Sequence, residues 1–426
     1  MTDLISRDAI DAFNAAIAAA DPYRQTRAVL QSHEAFACVR GRVTILAAGK
    51  AALSMTRAAL DVIAAPKRGP VITVTNYENA TALDGARVLG AGHPVPDKAG
   101  ESAARAIEQA ALDAGGDDLV ICLISGGASA LLPAPRAGLS LDDKMAVTDL
   151  LLRSGADISE VNTVRKALSR LKGGGLARAI APARCLSLIL SDVPGDNIAV
   201  IASGPTALPP QESDPGGAAM AVLARFGLGE KVPLSVLAVI ETPVRHRSFG
   251  SPPNNQLIGS NTMSVDALNG FLREAGYSVT RSDDWLQGDA VDAARMFVDW
   301  GVGAPDGKIA FVAGGETSVE VTGSGLGGRN QHMALAFALE AQGRLKRPFA
   351  FLSGGTDGRD GPTDAAGGLV TDKTLALAAR RGVHLPDYLA NDDSYHGLKS
   401  VDGLVVTGGT GTNVADVQCL LLGDQR

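Results

Sequence analysis

Leu119-Val-Ile-Cys-Leu-Ile-Ser-Gly-Gly-Ala-Ser129 carries six apolar residues in a row and then turns polar in one step. An unbroken run of that length reads as a strand covered on both faces, as in a parallel sheet, because a half-exposed strand would alternate. The glycines after it open a helix. The same ending recurs three times. Lys308-Ile-Ala-Phe-Val-Ala313 leads into Gly314-Gly315-Glu316-Thr317, Phe349-Ala-Phe-Leu352 into Ser353-Gly354-Gly355-Thr356-Asp357, and Val406 into Thr-Gly-Gly-Thr-Gly-Thr412. The flanks do not align, so this is no sequence repeat. A chain with 50 glycines produces some Gly-Gly pairs by composition alone; four at strand ends point to a shared demand, a backbone-lined anion surface. Ser125, Gly126, Gly127 and Ser129 read as a cradle for a carboxylate or phosphate. Ser129 is not a hydrolase nucleophile, since the closing glycine of Gly-x-Ser-x-Gly is replaced by Leu131.

Upstream, Val43-Thr-Ile-Leu-Ala-Ala48 is a second buried strand, and Gly49-Lys50 turns directly into a helix over Ala51–Ile63. A lysine there opposes the helix dipole, a mild cost that points to anion binding at the helix start. His93, between Gly92 and Pro94, reads as a rigid turn residue that would suit a site wall. Downstream, Val161 to Lys172 reads as one amphipathic helix with Arg165, Ser169 and Lys172 on its solvated face, stopped by Gly173-Gly-Gly175. Strand Cys185–Leu190 delivers Asp192 beyond its C-terminal end, where open α/β sheets bind ligands.

Gly323-Ser-Gly-Leu-Gly-Gly328 matches the dinucleotide fingerprint formally, but Thr317–Thr322 before it alternates polar and apolar and reads as a half-exposed hairpin strand. The acid expected about twenty residues later is missing too. Arg329 instead starts a helix as a fixed cation beside a phosphate-sized gap. The loop Ser353–Gly368 then mixes glycines with Asp357, Asp360 and Asp364, amides for anions beside acids for a cation. Glycine, aspartate and proline are common turn residues, yet the run is longer than a turn needs.

Composition agrees with an α/β enzyme: 46% hydrophobic and only 4% aromatic residues suit Ala/Val/Leu cores with tight turns. A net charge of −7 without a basic block argues against nucleic-acid or anionic-membrane partners. Cys38, Cys122, Cys185 and Cys419 are scattered, which fits neither disulfides nor structural zinc and suits a reducing cytosol. The first residues lack the apolar core of a signal peptide, so a soluble cytoplasmic protein is expected. The first helix buries Ile10, Phe13, Ile17 and Ala20. Leu208-Pro-Pro210 reads as a surface loop and Ser251-Pro-Pro253-Asn-Asn255 as a domain boundary.

Cations at helix starts, glycine cradles and an acidic loop together fit phosphoryl transfer, which needs positioning and charge neutralisation, usually with a bridging metal. Gly49-Lys50-Ala-Ala, Gly92-His-Pro-Val-Pro-Asp97, Ser125-Gly-Gly-Ala-Ser-Ala-Leu131, Lys172-Gly-Gly-Gly-Leu-Ala177, Ser191-Asp-Val-Pro-Gly-Asp196, Ser203-Gly-Pro-Thr206, Gly323-Ser-Gly-Leu-Gly-Gly-Arg-Asn-Gln331 and Thr356-Asp-Gly-Arg-Asp-Gly-Pro-Thr-Asp364 resemble the glycerate 2-kinase family, whose C-terminal half is called the MOFRL domain. The resemblance runs in order along nearly the whole chain. It implies a two-domain α/β fold: an N-terminal Rossmann-like parallel sheet at 1–248, then a C-terminal MOFRL-containing domain with a mixed sheet at 249–426. It also implies ATP- and Mg²⁺-dependent phosphorylation of D-glycerate to 2-phosphoglycerate in an interdomain cleft. The family's catalytic lysine and arginine fall on Lys50 and Arg329. We add Asp192 and Asp357 as metal ligand or base. Ser125, Gly126, Gly127, Ser129, Gly314, Gly315, Glu316, Thr317, Ser353, Gly354, Gly355 and Thr356 are the expected substrate- and phosphate-binding set. Some relatives carry a hydroxypyruvate reductase label, so an NAD(P)H-dependent reductase is the alternative. Assembly into a homo-oligomer is left open.

Overall fold

The computed structural model describes residues 2–32, 39–210, 213–243 and 251–424. Cys38 and the 248/249 junction lie outside the described residues. The chain divides into two compact units, Pro22–Ile258, and Met1–Asp21 together with Gly259–Arg426.

The Pro22–Ile258 unit is organised on a six-stranded sheet of β1 (Val43–Ala48), β2 (Arg68–Asn76), β3 (Arg87–Ala91), β4 (Leu119–Ile124), β5 (Arg184–Ser191) and β6 (Asn254–Ser260). Their spatial order is β3-β2-β1-β4-β5-β6, and β1 to β5 run parallel. Every residue of β1 and β4 is buried, as their unbroken apolar runs require. Ala103, Ala104, Ile107 and Ala111 of the Lys98–Leu112 helix share one core with Leu46, Val74, Val120 and Cys122. Asp97 starts that helix by accepting the Gly100 N–H at 2.8 Å. A second core, around Leu151, Val164, Leu223 and Val236, is made by helices Leu141–Arg153, Ile158–Ala167, Pro215–Arg225 and Leu234–Glu241. The first two begin with reciprocal capping boxes, Ser140 with Asp143 and Asp157 with Glu160.

The other unit carries β7 (Ser278–Arg281), β8 (Ile309–Gly315), β9 (Phe349–Gly355), β10 (Gly367–Thr371), β11 (Leu404–Val405) and β12 (Asp416–Leu422). Their order is β11-β10-β9-β12-β8-β7. Only β7 and β8 are parallel neighbours, so the sheet is mixed. Both faces are covered, and residues alternate between two cores. Phe311, Phe351 and Leu420 meet helices Ala290–Gly303 and Arg329–Glu340, while Val312, Leu352 and Cys419 meet helices Thr2–Ala19 and Asn261–Glu274.

Several expectations are corrected here. The first helix belongs with the C-terminal residues, buried through Ile5, Ala9, Ala12, Phe13 and Ala16, whereas Ile10 is exposed. Its alanine-rich stripe lets it lie close on the sheet. β6, placed by the sequence after the boundary, joins the first sheet instead. Thr317–Thr322 forms no hairpin strand; Ser318 makes a single bridge to Asp289. The helix from Ile158 ends at Ala167, and Ser169 bridges back to Pro135. Val406 follows a strand of only two residues. Cys122, Cys185 and Cys419 are buried free thiols, and no helix among the described residues is long and apolar enough to cross a membrane.

Candidate active site

In the Pro22–Ile258 unit the strand order reverses between β1 and β4, the crevice where open α/β sheets take ligands. The turns after these strands are laced together. Ser125 N–H donates to Ala48 O (3.0 Å), Lys50 N–H to Gly126 O (2.9 Å) and Ala51 N–H to the Ser125 hydroxyl (3.1 Å). Gly49 must be glycine: its φ is +132°, and a Cβ would lie 2.1 Å from the Ser125 hydroxyl. Lys50 therefore has a fixed backbone at the helix start. Gly127, at φ +86°, lies against the His93 ring and the Lys50 stem, and the Asp192 carboxylate lies over the Gly126 α-carbon. Burial first, then the charge of Lys50, lowers the His93 pKa, so its imidazole is neutral at neutral pH. The N–H groups of Gly126 and Gly127 have no acceptor among the described residues. Lys50, Ser125, Gly126, Gly127 and Asp192 thus come together.

Ser129 is one turn further on, and its surroundings were not read from the sequence. Its hydroxyl accepts from Arg165 Nη2 (2.7 Å) and Lys172 Nζ (2.8 Å) and lies 3.0 Å from the Ser203 hydroxyl. The supposed solvated face is largely covered: the chain turns inward after Ala167 and leaves Lys172 only 4% exposed, while Arg165 is half-buried. Lys144, 7% exposed, joins the cluster with an Nζ that has no hydrogen-bond partner. Burial, then Arg165 and Arg170, lowers Lys144 to about 7. Burial, then Arg165, Lys144 and Lys166, holds Lys172 well below the usual lysine range. The clue in the sequence is six basic residues and no acid from Val161 to Leu190.

In the other unit Arg329 is not a free cation. Asp416 grips it through Nε (2.6 Å) and Nη2 (3.0 Å), and Glu316 takes Nη1 at 2.9 Å, leaving two of the five guanidinium N–H groups. Burial lowers its pKa, but the bonds and charge of Asp416, then Glu316 and Asp360, prevail and raise it. The gap expected at this helix start is filled from within. Asp360, 3% exposed, accepts the backbone N–H groups of Asn330 (3.1 Å) and Gln331 (2.7 Å). The first part of the fingerprint-like loop is likewise engaged. Asp392 accepts from Thr322 and Gly323, Asn391 from Ser324 and Asp393 from Leu326.

Several cradle glycines are explained by packing. A Cβ on Gly314 would strike Asn261 and Val265, one on Gly354 the Phe13 ring, and one on Gly315 the Leu286 backbone. The amides of Glu316, Gly355 and Thr356 donate to Leu286 O, Ala366 O and Ala415 O. Ser353 donates to Asn330 Oδ1 and is fully buried, as is Thr356; Thr317 is 3% exposed. These amides do not form an open cradle. Of the three loop acids, Asp364 accepts from the Tyr395 hydroxyl and Asp360 caps the helix. Asp357 borders Gly355 together with Asp416 and accepts the Arg359 N–H at 3.0 Å. No group of three or more His, Cys, Asp or Glu side chains among the described residues forms a ready metal cage. Such a cage is not what Mg²⁺ at a phosphate site needs, because one or two carboxylates share the ion with phosphate and water.

Comparisons with known proteins give the family. Residues 8–241 match a model described as a domain of unknown function, DUF4147, and residues 309–416 match the MOFRL family. The glycerate 2-kinase of Pyrococcus horikoshii is 38% identical over 434 residues, 96% of each chain. An Agrobacterium vitis protein with a provisional hydroxypyruvate reductase name is 39% identical over 392 residues, 90% of this chain and all of its own. The crystal structure of glycerate kinase from Thermotoga maritima superposes with a TM-score of 0.89 at 35% identity, covering 99% of this chain and 100% of that one. The chain belongs to the glycerate kinase family, in the class that carries the MOFRL domain.

Proposed function

We propose that the protein is a glycerate 2-kinase that transfers the terminal phosphoryl group of ATP to the 2-hydroxyl of D-glycerate. The observation that carries this reading is Lys50, pinned by its backbone at the β1–β4 switch point beside the unused amides of Gly126 and Gly127. We read the β3-β2-β1-β4-β5-β6 order of this unit as Rossmann-like. An ammonium carried on an anchored backbone and two unused amides would neutralise charge that spreads over phosphoryl oxygens in the transition state, with less reorganisation than water would need. Asp192, whose carboxylate lies over Gly126, would accept the proton of a hydroxyl or help to hold a cation. Arg329, held by Asp416 with two N–H groups to spare, offers a second fixed cation. The residues fit Mg²⁺: Asp357 or Asp192 would hold it, and the ion would supply charge neutralisation for the phosphoryl group.

The reductase reading finds less support: the amides of Gly323, Ser324, Gly325 and Leu326 in the fingerprint-like loop already have acceptors on Asn391, Asp392 and Asp393. The deciding assay offers purified protein D-glycerate with ATP and Mg²⁺, and separately hydroxypyruvate with NADH or NADPH. Formation of 2-phosphoglycerate is expected. Nicotinamide oxidation without phosphoryl transfer would overturn the proposal. Asp357→Asn and Asp192→Asn should shift the Mg²⁺ titration of turnover; an unchanged titration in both removes them from the metal site.

A further inference from the structure

Beside Ser129 a cavity of about 430 Å³ opens within the Pro22–Ile258 unit. Its lining is part cationic and part apolar. Lys144, Arg165 and Lys172 converge near the Ser129 hydroxyl. None of the three has a carboxylate at ion-pair distance among the described residues. Lys144 Nζ lacks even a hydrogen-bond partner, with its residue only 7% exposed. Burying like charges together without counter-ions is costly, and an anionic ligand offsets that cost. Burial and its cationic neighbours lower the Lys144 pKa to about 7, and a bound anion would restore its charge. Much of the remaining lining is apolar, from Leu141, Met145, Leu152, Pro94, Val95 and Pro133, with Thr148 and Asp149 among them. Leu152 and Val95 are 58% and 61% exposed, large apolar side chains left wet at the rim.

We propose that this cavity is the nucleotide subsite, with the base and sugar against Leu141, Met145 and Leu152 and the phosphate chain running from Arg165 and Lys172 toward Gly127 and Lys50. The inference rests on the kinase reading above and adds which unit grips the nucleotide. Size argues the same way. A three-carbon acid would leave most of 430 Å³ empty, whereas sites for ligands the size of a nucleoside fall in the range of about 300–1,000 Å³. Continuity argues it too: Ser129 is two residues beyond Gly127, whose α-carbon borders both His93 and Lys50, and Pro94 of the apolar wall follows His93. Cations that hold a polyphosphate and amides that meet its far end would form one track.

The test is calorimetric binding to the full chain of a non-hydrolysable imido analogue of ATP with Mg²⁺, and separately of D-glycerate. Wild type is compared with Lys144→Met, which deletes the charge at similar length, and Leu152→Asp, which sets a negative charge in the exposed apolar wall. Each variant should weaken the analogue at least about tenfold and leave glycerate affinity unchanged. Wild-type affinity for the analogue in both variants overturns the assignment, as does a loss confined to glycerate, which would give the cavity to the acid substrate. If wild type itself binds no nucleotide, the kinase reading fails, an outcome distinct from failure of the subsite alone. Circular dichroism of Leu152→Asp checks its fold, and its position at the rim favours a native result.

Discussion

Asp416 holds Arg329 through two parallel hydrogen bonds, of 2.6 and 3.0 Å, across 87 positions of sequence, and is itself only 1% exposed. The pair ties the first residue of β12 to the start of the Arg329–Glu340 helix. A cation serving only a ligand would contribute little to the empty fold, but this one also neutralises a buried carboxylate. Arg329→Ala should therefore lower stability by about 3–5 kcal/mol, the usual effect of stranding a buried charge, besides reducing turnover. Adding Asp416→Asn should restore much of the melting temperature and none of the activity. Arg329→Lys, without the planar fork, should recover only part of either. Thermal unfolding with steady-state kinetics on the three variants checks this, and an Arg329→Ala protein of unchanged stability would contradict it.

Lys50 differs. No carboxylate among the described residues pairs with it, and its backbone is anchored independently by Gly126 O. Lys50→Ala should cut turnover by about a hundredfold or more, the typical loss of one transition-state contact, while the melting temperature barely moves. Near-normal kinase activity in the variant would dismiss the assigned role.

Lys144 supplies a pH signature. Its pKa is about 7 when folded against 10.5 ordinarily, because of burial and then Arg165 and Arg170; Lys172 and Asp149 also line the cavity. Between pH 7 and about 10.5 the unfolded chain binds the proton and the folded one does not, so this residue makes stability rise with pH over that window. Below pH 7 both states are protonated and the full penalty applies. Lys144→Met should thus stabilise the ligand-free protein most at or below pH 7, by at most about 5 kcal/mol, with the gain fading toward pH 10. Urea unfolding at pH 6.5, 8 and 9.5 reads it; a gain that grows with pH has the wrong sign.

Asp392 is a structural anion in a place where a ligand anion was conceivable. It accepts the N–H groups of Thr322 and Gly323. Burial raises its pKa, but those bonds and His332 prevail and lower it. Asp392→Ala should release the Thr322 and Gly323 amides to faster hydrogen exchange and cost about 1–3 kcal/mol. Unchanged protection of these amides would mean that the loop is held by packing alone.

The apolar runs Val43–Ala48, Leu119–Ile124 and Phe349–Leu352, the turn at Gly49-Lys50, and Asp192 beyond β5 were legible in the chain because strand burial and strand-to-helix turns leave a local, periodic trace. The mixed sheet of the C-terminal residues agrees with the family resemblance. Which charges meet is not local information. Lys144, Arg165 and Lys172 converge on Ser129 only because the chain turns at Ala167, and Asp416 reaches Arg329 only because β12 inserts between β8 and β9. Glycines are ambiguous in the same way: Gly49 makes room for the Ser125 hydroxyl beside the candidate site, and Gly354 for the Phe13 ring. One dipeptide pattern serves a ligand crevice or a closely laid helix, depending on what tertiary packing brings against its missing side chain.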